Sequence, residues 1–334
     1  MTDQANSSGA ATAANAPIFV NTGIEAPSEW QKVIEGTWHG RPSIFDGEGT
    51  HVGYENVARA SEFSNGQTHY WMNTKFDGGG HLRSRLELGG MFSFGVIDSD
   101  QNRIYTGPDF FGAGQPYGTF VDSNYYSQGW QADLVTWNYI IPGTDVQVYS
   151  SVCYDGWTPA IVFDGLYLRT FDHETNPETQ KRIQEFKDQE EALGQMNFVT
   201  PTKEKGAWKG SVEVFGADQK LIGHSEVVIE HEPIDLIRSR QTVTWSGVLE
   251  RQYTFERVRL EHKTMFHGPD VWGNQMAYGR CAFTAQHFTN EATKIKGREF
   301  MLNYDYELVV NWQVLDGNAL THVVVGVLTW EPAV

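Results

Sequence analysis

Tyr105-Thr106-Gly107-Pro108-Asp109-Phe110-Phe111-Gly112 and Phe266-His267-Gly268-Pro269-Asp270-Val271-Trp272-Gly273 are one block written twice, 161 positions apart. The same spacing brings Tyr117-Gly118 onto Tyr278-Gly279 and Asp155-Gly156 onto Asp316-Gly317. Upstream, Gly36-Thr37-Trp38-His39-Gly40 matches Gly206-Ala207-Trp208-Lys209-Gly210 at a spacing of 170, which also aligns Phe45 with Phe215, Gly53 with Gly223 and Val57 with Val227. A spacing held over so long a stretch is the mark of an internal duplication.

Each copy reads as β-structure. Val227, Ile229 and His231 alternate with more polar neighbours, as do Val258, Leu260, His262 and Thr264, and Tyr306, Leu308, Val310 and Trp312. Such alternation is the period of a half-buried strand. Asp46-Gly47, Asp77-Gly78, Asp155-Gly156 and Asp316-Gly317 read as hairpin turns. About eight strands in each copy, closed into an antiparallel barrel, leave no exposed sheet edge; a two-sheet sandwich would carry a similar pattern. Between the copies, Thr179 to Met196 is charged, with Ile183, Phe186 and Leu193 at helical spacing and Pro177 suited to a first turn. The sequence therefore predicts an all-β chain of two tandem barrels. A disordered tail covers 1–29, a first barrel 30–172, a helical linker 173–204 and a second barrel 205–334.

The Gly-Thr-Trp-His-Gly segment after Val33-Ile34, and its counterpart Gly206-Ala207-Trp208, resemble the opening of lipocalin-like (calycin) barrels. In those barrels a Gly-x-Trp on the first strand closes the barrel floor. The resemblance spans residues 33–332 by architecture, and the later Thr-Asp-Tyr and Arg signatures of typical lipocalins are not evident here. It implies calycin barrels with a preference for apolar ligands; two-barrel calycin proteins include enzymes that hydrate or cyclise terpenoids and polyketides. It assigns no catalytic residue.

Composition bounds the function. The 334 residues carry a net charge of −17 without a dense basic run, which argues against nucleic acid and anionic membrane surfaces as partners. No stretch is long and apolar enough to span a membrane as a helix. The first residues lack the basic start and apolar core of a secretory signal, so a cytoplasmic location is expected. Cys153 and Cys281 stand outside any CxxC or Cys/His pattern, and no metal site is expected. Walker, GxSxG, HExxH and dinucleotide signatures are missing, so no cofactor is expected.

For chemistry, the repeated Gly-Pro-Asp block reads first as a turn capped by its Asp. Its sharper reading makes Asp109 or Asp270 an acid or base at the barrel mouth, with Tyr105, and with His262 and His267 moving protons near neutral pH. The aromatic residues Trp71, Tyr117, Tyr126, Trp130, Trp137, Trp245, Trp272 and Tyr278 read either as core or as ligand-binding walls of a cavity. Arg83 with Arg85, and Arg238 with Arg240, would each share a strand face. That face is either solvated or inward and paired, with Glu55 or Glu87 as partners. Two functions follow as expectations. One is a cofactor-independent isomerase, cyclase, hydratase or lyase acting by acid–base catalysis on a small hydrophobic organic molecule. The other is a non-catalytic carrier or sensor of such a molecule. The sequence is also compatible with a homodimer.

Overall fold

The computed structural model describes residues 22–88, 92–99, 103–107, 110–196, 204–261, 263–303 and 307–333. It shows two closed antiparallel barrels in tandem. The first is built from β1 (Thr37–Gly40), β2 (Ser43–Asp46), β3 (His51–Ser64), β4 (Gln67–Gly78), β5 (Phe92–Asp98), β6 (Arg103–Thr106), β7 (Phe110–Tyr117), β8 (Phe120–Ser127), β9 (Ala132–Ile140), β10 (Val146–Asp155) and β11 (Thr158–Thr170). The second runs through β12 (Gly206–Gly216), β13 (Leu221–Pro233), β14 (Arg238–Gly247), β15 (Arg251–Leu260), β16 (Lys263–Pro269), β17 (Val271–Tyr278), β18 (Cys281–Phe288), β19 (Thr293–Asn303), β20 (Glu307–Asp316) and β21 (Ala319–Pro332). Helix α1 (Glu29–Val33) precedes the first barrel, α2 (Arg83–Leu88) interrupts it, and α3 (Pro177–Gly194) joins the two.

Each barrel has more strand positions than the eight read from the sequence; in the first, β1, β2 and β6 are four residues each, too short to show a period. The duplicated blocks occupy equivalent places. Gly107 and Gly268 lie at the β6–β7 and β16–β17 turns, and the two Asp-Gly pairs at Gly156 and Gly317 join β10 to β11 and β20 to β21. Asp77-Gly78 does not form a hairpin: β4 runs into a short 3-10 turn (Gly80–Leu82) and then α2.

One difference between the copies matters. β12 is continuous, whereas its counterpart is cut at Arg41-Pro42 into β1 and β2. Proline has no N–H to give a ladder. β11 pairs with β1 over Tyr167–Thr170 and with β2 over Ile161–Asp164. The Leu166 N–H therefore faces the gap, and the Glu190 carboxylate of α3 accepts its hydrogen bond at 2.8 Å. Gly40, at the edge of the gap, sits against Tyr167: an added Cβ would lie 1.8 Å from Tyr167 Cδ1 and 2.9 Å from the Leu166 carbonyl oxygen. Gly40→Ala is expected to destabilise the protein by about 1–3 kcal/mol through overpacking, seen as a lower urea midpoint with unchanged slope.

The barrels share a core. Tyr117, Phe120, Trp137 and Tyr139 of the first pack with Phe215, Cys281, Phe300 and Val309 of the second. Arg298 donates to the Ser150 and Val135 carbonyls across the seam, and Gln313 donates to Asp122 at 2.5 Å. At the centre, Arg280 donates to Glu190 at 2.5 Å, both side chains almost wholly buried. The helix expected over 179–196 is thus present, with Asn176 capping it and Pro177 in its first turn.

Candidate functional site

The first barrel encloses a cavity of about 80 Å³. Alternation places its wall. Glu55, Arg59 and Ser61 of β3 face it, with Tyr70 and Met72 of β4, Phe94 of β5, Arg103 and Tyr105 of β6, Ser123 and Tyr125 of β8, Thr136 and Asn138 of β9, and Tyr149 of β10. Trp30, Ile34 and Trp38 close one end, where Ser28 caps α1 and the Trp38 indole donates to the Ile34 carbonyl at 2.8 Å. Leu82 and Leu86 pack into the same core from the α2 side. There Arg85 holds α2 in place through Asp155 and the Trp130 carbonyl.

The polar groups of the wall are organised. Arg103 and Asp98 form a buried ion pair at 2.9 Å, and Arg103 also donates to the Tyr70 hydroxyl at 2.8 Å. The Tyr105 hydroxyl bonds Ser123 at 2.7 Å, and Tyr125 bonds Thr136, which bonds Ser151, each at 2.8 Å. Arg59 donates to Asn138 at 3.3 Å and to Gln147, with its guanidinium 4.7 Å from the Tyr167 ring centre. Glu55 is fully buried. Loss of solvation pushes its carboxyl up to about 8, against the opposing pull of Arg59. Burial likewise raises the Tyr70, Tyr125 and Tyr149 hydroxyls.

Of the residues singled out from the sequence, Tyr105 and Trp130 line this cavity. Tyr117 and Trp137 point outward into the seam between the barrels, and Tyr278 packs on Phe45 across it. Trp71, Tyr126 and Trp272 are 46, 43 and 50% exposed on outer faces. Trp245 is buried in the second barrel, its ring tilted against that of Trp312 with 5.2 Å between centres. Asp270 is exposed and accepts the N–H of Thr254 on β15 at 2.6 Å, a bond to the neighbouring strand rather than a cap on its own turn. His267 is exposed against Trp272, 4.6 Å between ring centres. Asp109 and His262 lie outside the described residues. The run from Val258 to Thr264 is two strands, since β15 ends at Leu260 and Glu261 turns with φ +53°. Its apolar members Val258 and Leu260 face outward, while Arg257 is buried. Arg83 and Arg85 are on helix α2, not on a strand, and Arg83 pairs with Glu87. Arg238 and Arg240 lie on the outer face of β14, paired with Asp235 and Glu256.

Within the second barrel a cavity of about 30 Å³ is lined partly by Arg257, Gln275 and Glu299, and a more open pocket of about 340 Å³ lies at one end against Trp245, Leu249, Ile295 and Val314. Arg257 donates to Gln275 at 2.6 Å and Gln275 to Glu299 at 2.8 Å, while the Trp312 indole donates to Glu299 at 3.2 Å. Burial lowers Arg257 to about 10 and raises Glu299. This small polar network sits inside a largely apolar core that includes Trp208, Ile229, Val243, Phe255, Phe266 and Leu308, with room for two or three waters at about 10–15 Å³ each.

Glu55, Arg59 and Arg103, the charged members of the first cavity, were not marked as site residues by the sequence. The available signal was the two-residue step Glu55-Val57-Arg59-Ser61, which puts both charges on one strand face.

No family model matches the chain, and no curated protein matches it. Among solved structures it is similar to a protein of unknown function from the DUF3598 family of Nostoc punctiforme PCC 73102, with TM-score 0.59 and 10% identity over 92% of this chain and 100% of that one. That likeness is one of fold. A mutant porin of Rhodopseudomonas blastica aligns at 9% identity over 89% of this chain and 98% of that one, but its TM-score of 0.20 is below that of a shared fold.

Proposed function

We propose that the first barrel holds a small organic molecule and performs cofactor-independent acid–base chemistry on it, with Glu55 as the proton-transferring group. The observation behind this reading is a carboxyl buried in the wall of an aromatic cavity, its proton affinity moved to about 8. A carboxylic acid of that strength gives and takes a proton near neutral pH. Tyr70, Phe94, Tyr105, Tyr125 and Trp130 would hold an apolar body in place. Isomerisation or elimination next to a polarised carbon fits one titrating group and needs no bound cofactor. The reaction remains within the isomerase and lyase classes, and Asp270 and His267 have no part in it.

One observation favours the carrier reading instead. The other hydroxyls of the wall are engaged with one another, Tyr105 with Ser123 and Tyr125 with Thr136. They supply no evident proton relay from Glu55.

Native mass spectrometry of the purified protein, followed by extraction, identifies the guest. Incubation of protein and guest in heavy water then reads proton transfer as deuterium incorporation. Glu55→Gln is expected to lower incorporation by about 100-fold or more, with the guest still bound. The same variant should gain stability at pH 7. A carboxyl whose folded pKa is raised is fully stabilising only below its unfolded value near 4.5, and that contribution fades as pH climbs toward about 8. Glutamine does not titrate, so its advantage grows over this window in urea denaturation. Incorporation unchanged by Glu55→Gln removes Glu55 from the chemistry. A wild-type protein that retains its guest without any exchange is a carrier.

A further inference from the structure

Resting on the reading that the first barrel holds a guest, we infer that the guest is a small carboxylate whose anionic head is held by Arg59.

The argument is one of charge balance. Three charged side chains line the cavity: Glu55, Arg59 and Arg103. Arg103 is neutralised by Asp98 at 2.9 Å. Arg59 has no such partner: its side-chain bonds go to the amide oxygens of Asn138 and Gln147, and among the described residues no carboxylate lies within 4 Å of it. Glu55 shares its strand face but forms no ion pair with Arg59, and its own burial favours the neutral acid. The wall thus carries one uncompensated positive charge near neutral pH. A guanidinium inside a protein calls for an anion. It presents a planar fork of N–H donors that matches a carboxylate. The Tyr167 ring beneath it, 4.7 Å away, fixes its plane.

Size narrows the guest further. A cavity of about 150 Å³ holds benzene, so 80 Å³ admits roughly three to four non-hydrogen atoms. Phosphate esters and nucleotides with that head group exceed it. A carboxylic acid of two or three carbons fits, its alkyl end against the rings. Neutral Glu55 would then donate its proton to a guest oxygen, whereas ionised Glu55 would repel it. The groups that face Glu55 are Arg59 on its own strand, Tyr149 and Cys153 on β10, and Tyr167 on β11. Burial holds the three from β10 and β11 neutral, so Glu55 and Arg59 set the field.

The test uses the full chain with acetate and propionate, each beside its uncharged amide, followed by calorimetry and by the emission of Trp30, Trp38 and Trp130. The acids are expected to bind at least about tenfold more tightly than the amides. Arg59→Met should abolish that preference while leaving amide binding in place. Acid affinity of the wild type should fall as pH rises from about 7 to about 9, with amide affinity flat. The wild-type pH series decides the matter even where Arg59→Met does not fold. Amides binding as well as acids, or a preference that survives Arg59→Met, overturns the carboxylate and leaves a neutral guest. Toluene binding where neither acid binds does the same. If acids, amides and toluene all fail to bind, the guest-holding barrel itself is wrong.

Discussion

Arg280→Met is expected to destabilise the whole protein by about 3–5 kcal/mol, because it strands a buried acid without its counter-ion. Arg280 comes from the turn between β17 and β18 in the second barrel and Glu190 from α3, and the same carboxylate fills the gap in the first barrel by accepting the Leu166 N–H. Asp164, on β11 beside the gap, is buried as well, and burial holds both carboxyls above their usual range, with Arg280 pulling each of them down. Removing Arg280 raises both further. An acid with a raised folded pKa loses its stabilising contribution as pH rises. The deficit of the variant should therefore be larger near pH 8 than near pH 5. Urea denaturation at the two pH values measures it. A loss under about 1 kcal/mol at both would show that the ion pair is not what holds the three elements together.

Arg103→Met should cost a similar amount, about 3–5 kcal/mol, through a different pair. Arg103 and Asp98 are 1% and 0% exposed at their side chains, and Tyr70 gives the guanidinium a further acceptor. The variant strands the buried Asp98 carboxylate without its counter-ion. Replacing both partners, Asp98→Leu with Arg103→Met, removes the stranded charge and should recover most of the loss. Thermal denaturation of the single and double variants gives the coupling. A double variant no better than the single one would mean that the pair shapes the cavity wall by more than charge.

The fold was largely legible because duplication and turn chemistry act locally. Asp155-Gly156 and Asp316-Gly317 mark the same turn in both copies, and Pro177 with Asn176 starts the linker helix where expected. The site was less legible, because hydrophobic alternation assumes a greasy inside and a wet outside. β15 inverts that rule: Arg257 points in while Val258 and Leu260 point out. Tyr253 and Phe255 share that inner face with Arg257, so one buried charge interrupts an otherwise apolar face and breaks the expected pattern at the end of the strand. The seam inverts it a second time. Trp137 and Tyr117 are outward residues that are nevertheless buried, because another barrel covers them. Aromatic density alone could not separate a cavity wall from a contact surface. Glu55 and Arg59 went unmarked because their positions become meaningful only once the sheet closes over them.

The broken first strand has a consequence for how the chain is made. Strands of the first barrel leave the ribosome before α3, and α3 before Arg280. Until those two arrive, the nascent barrel carries an unsealed notch at Leu166, with an unpaired amide beside the place where strand partners would otherwise bond. Two units that look separable on paper are therefore one object in assembly, the later half acting as the latch that closes the earlier.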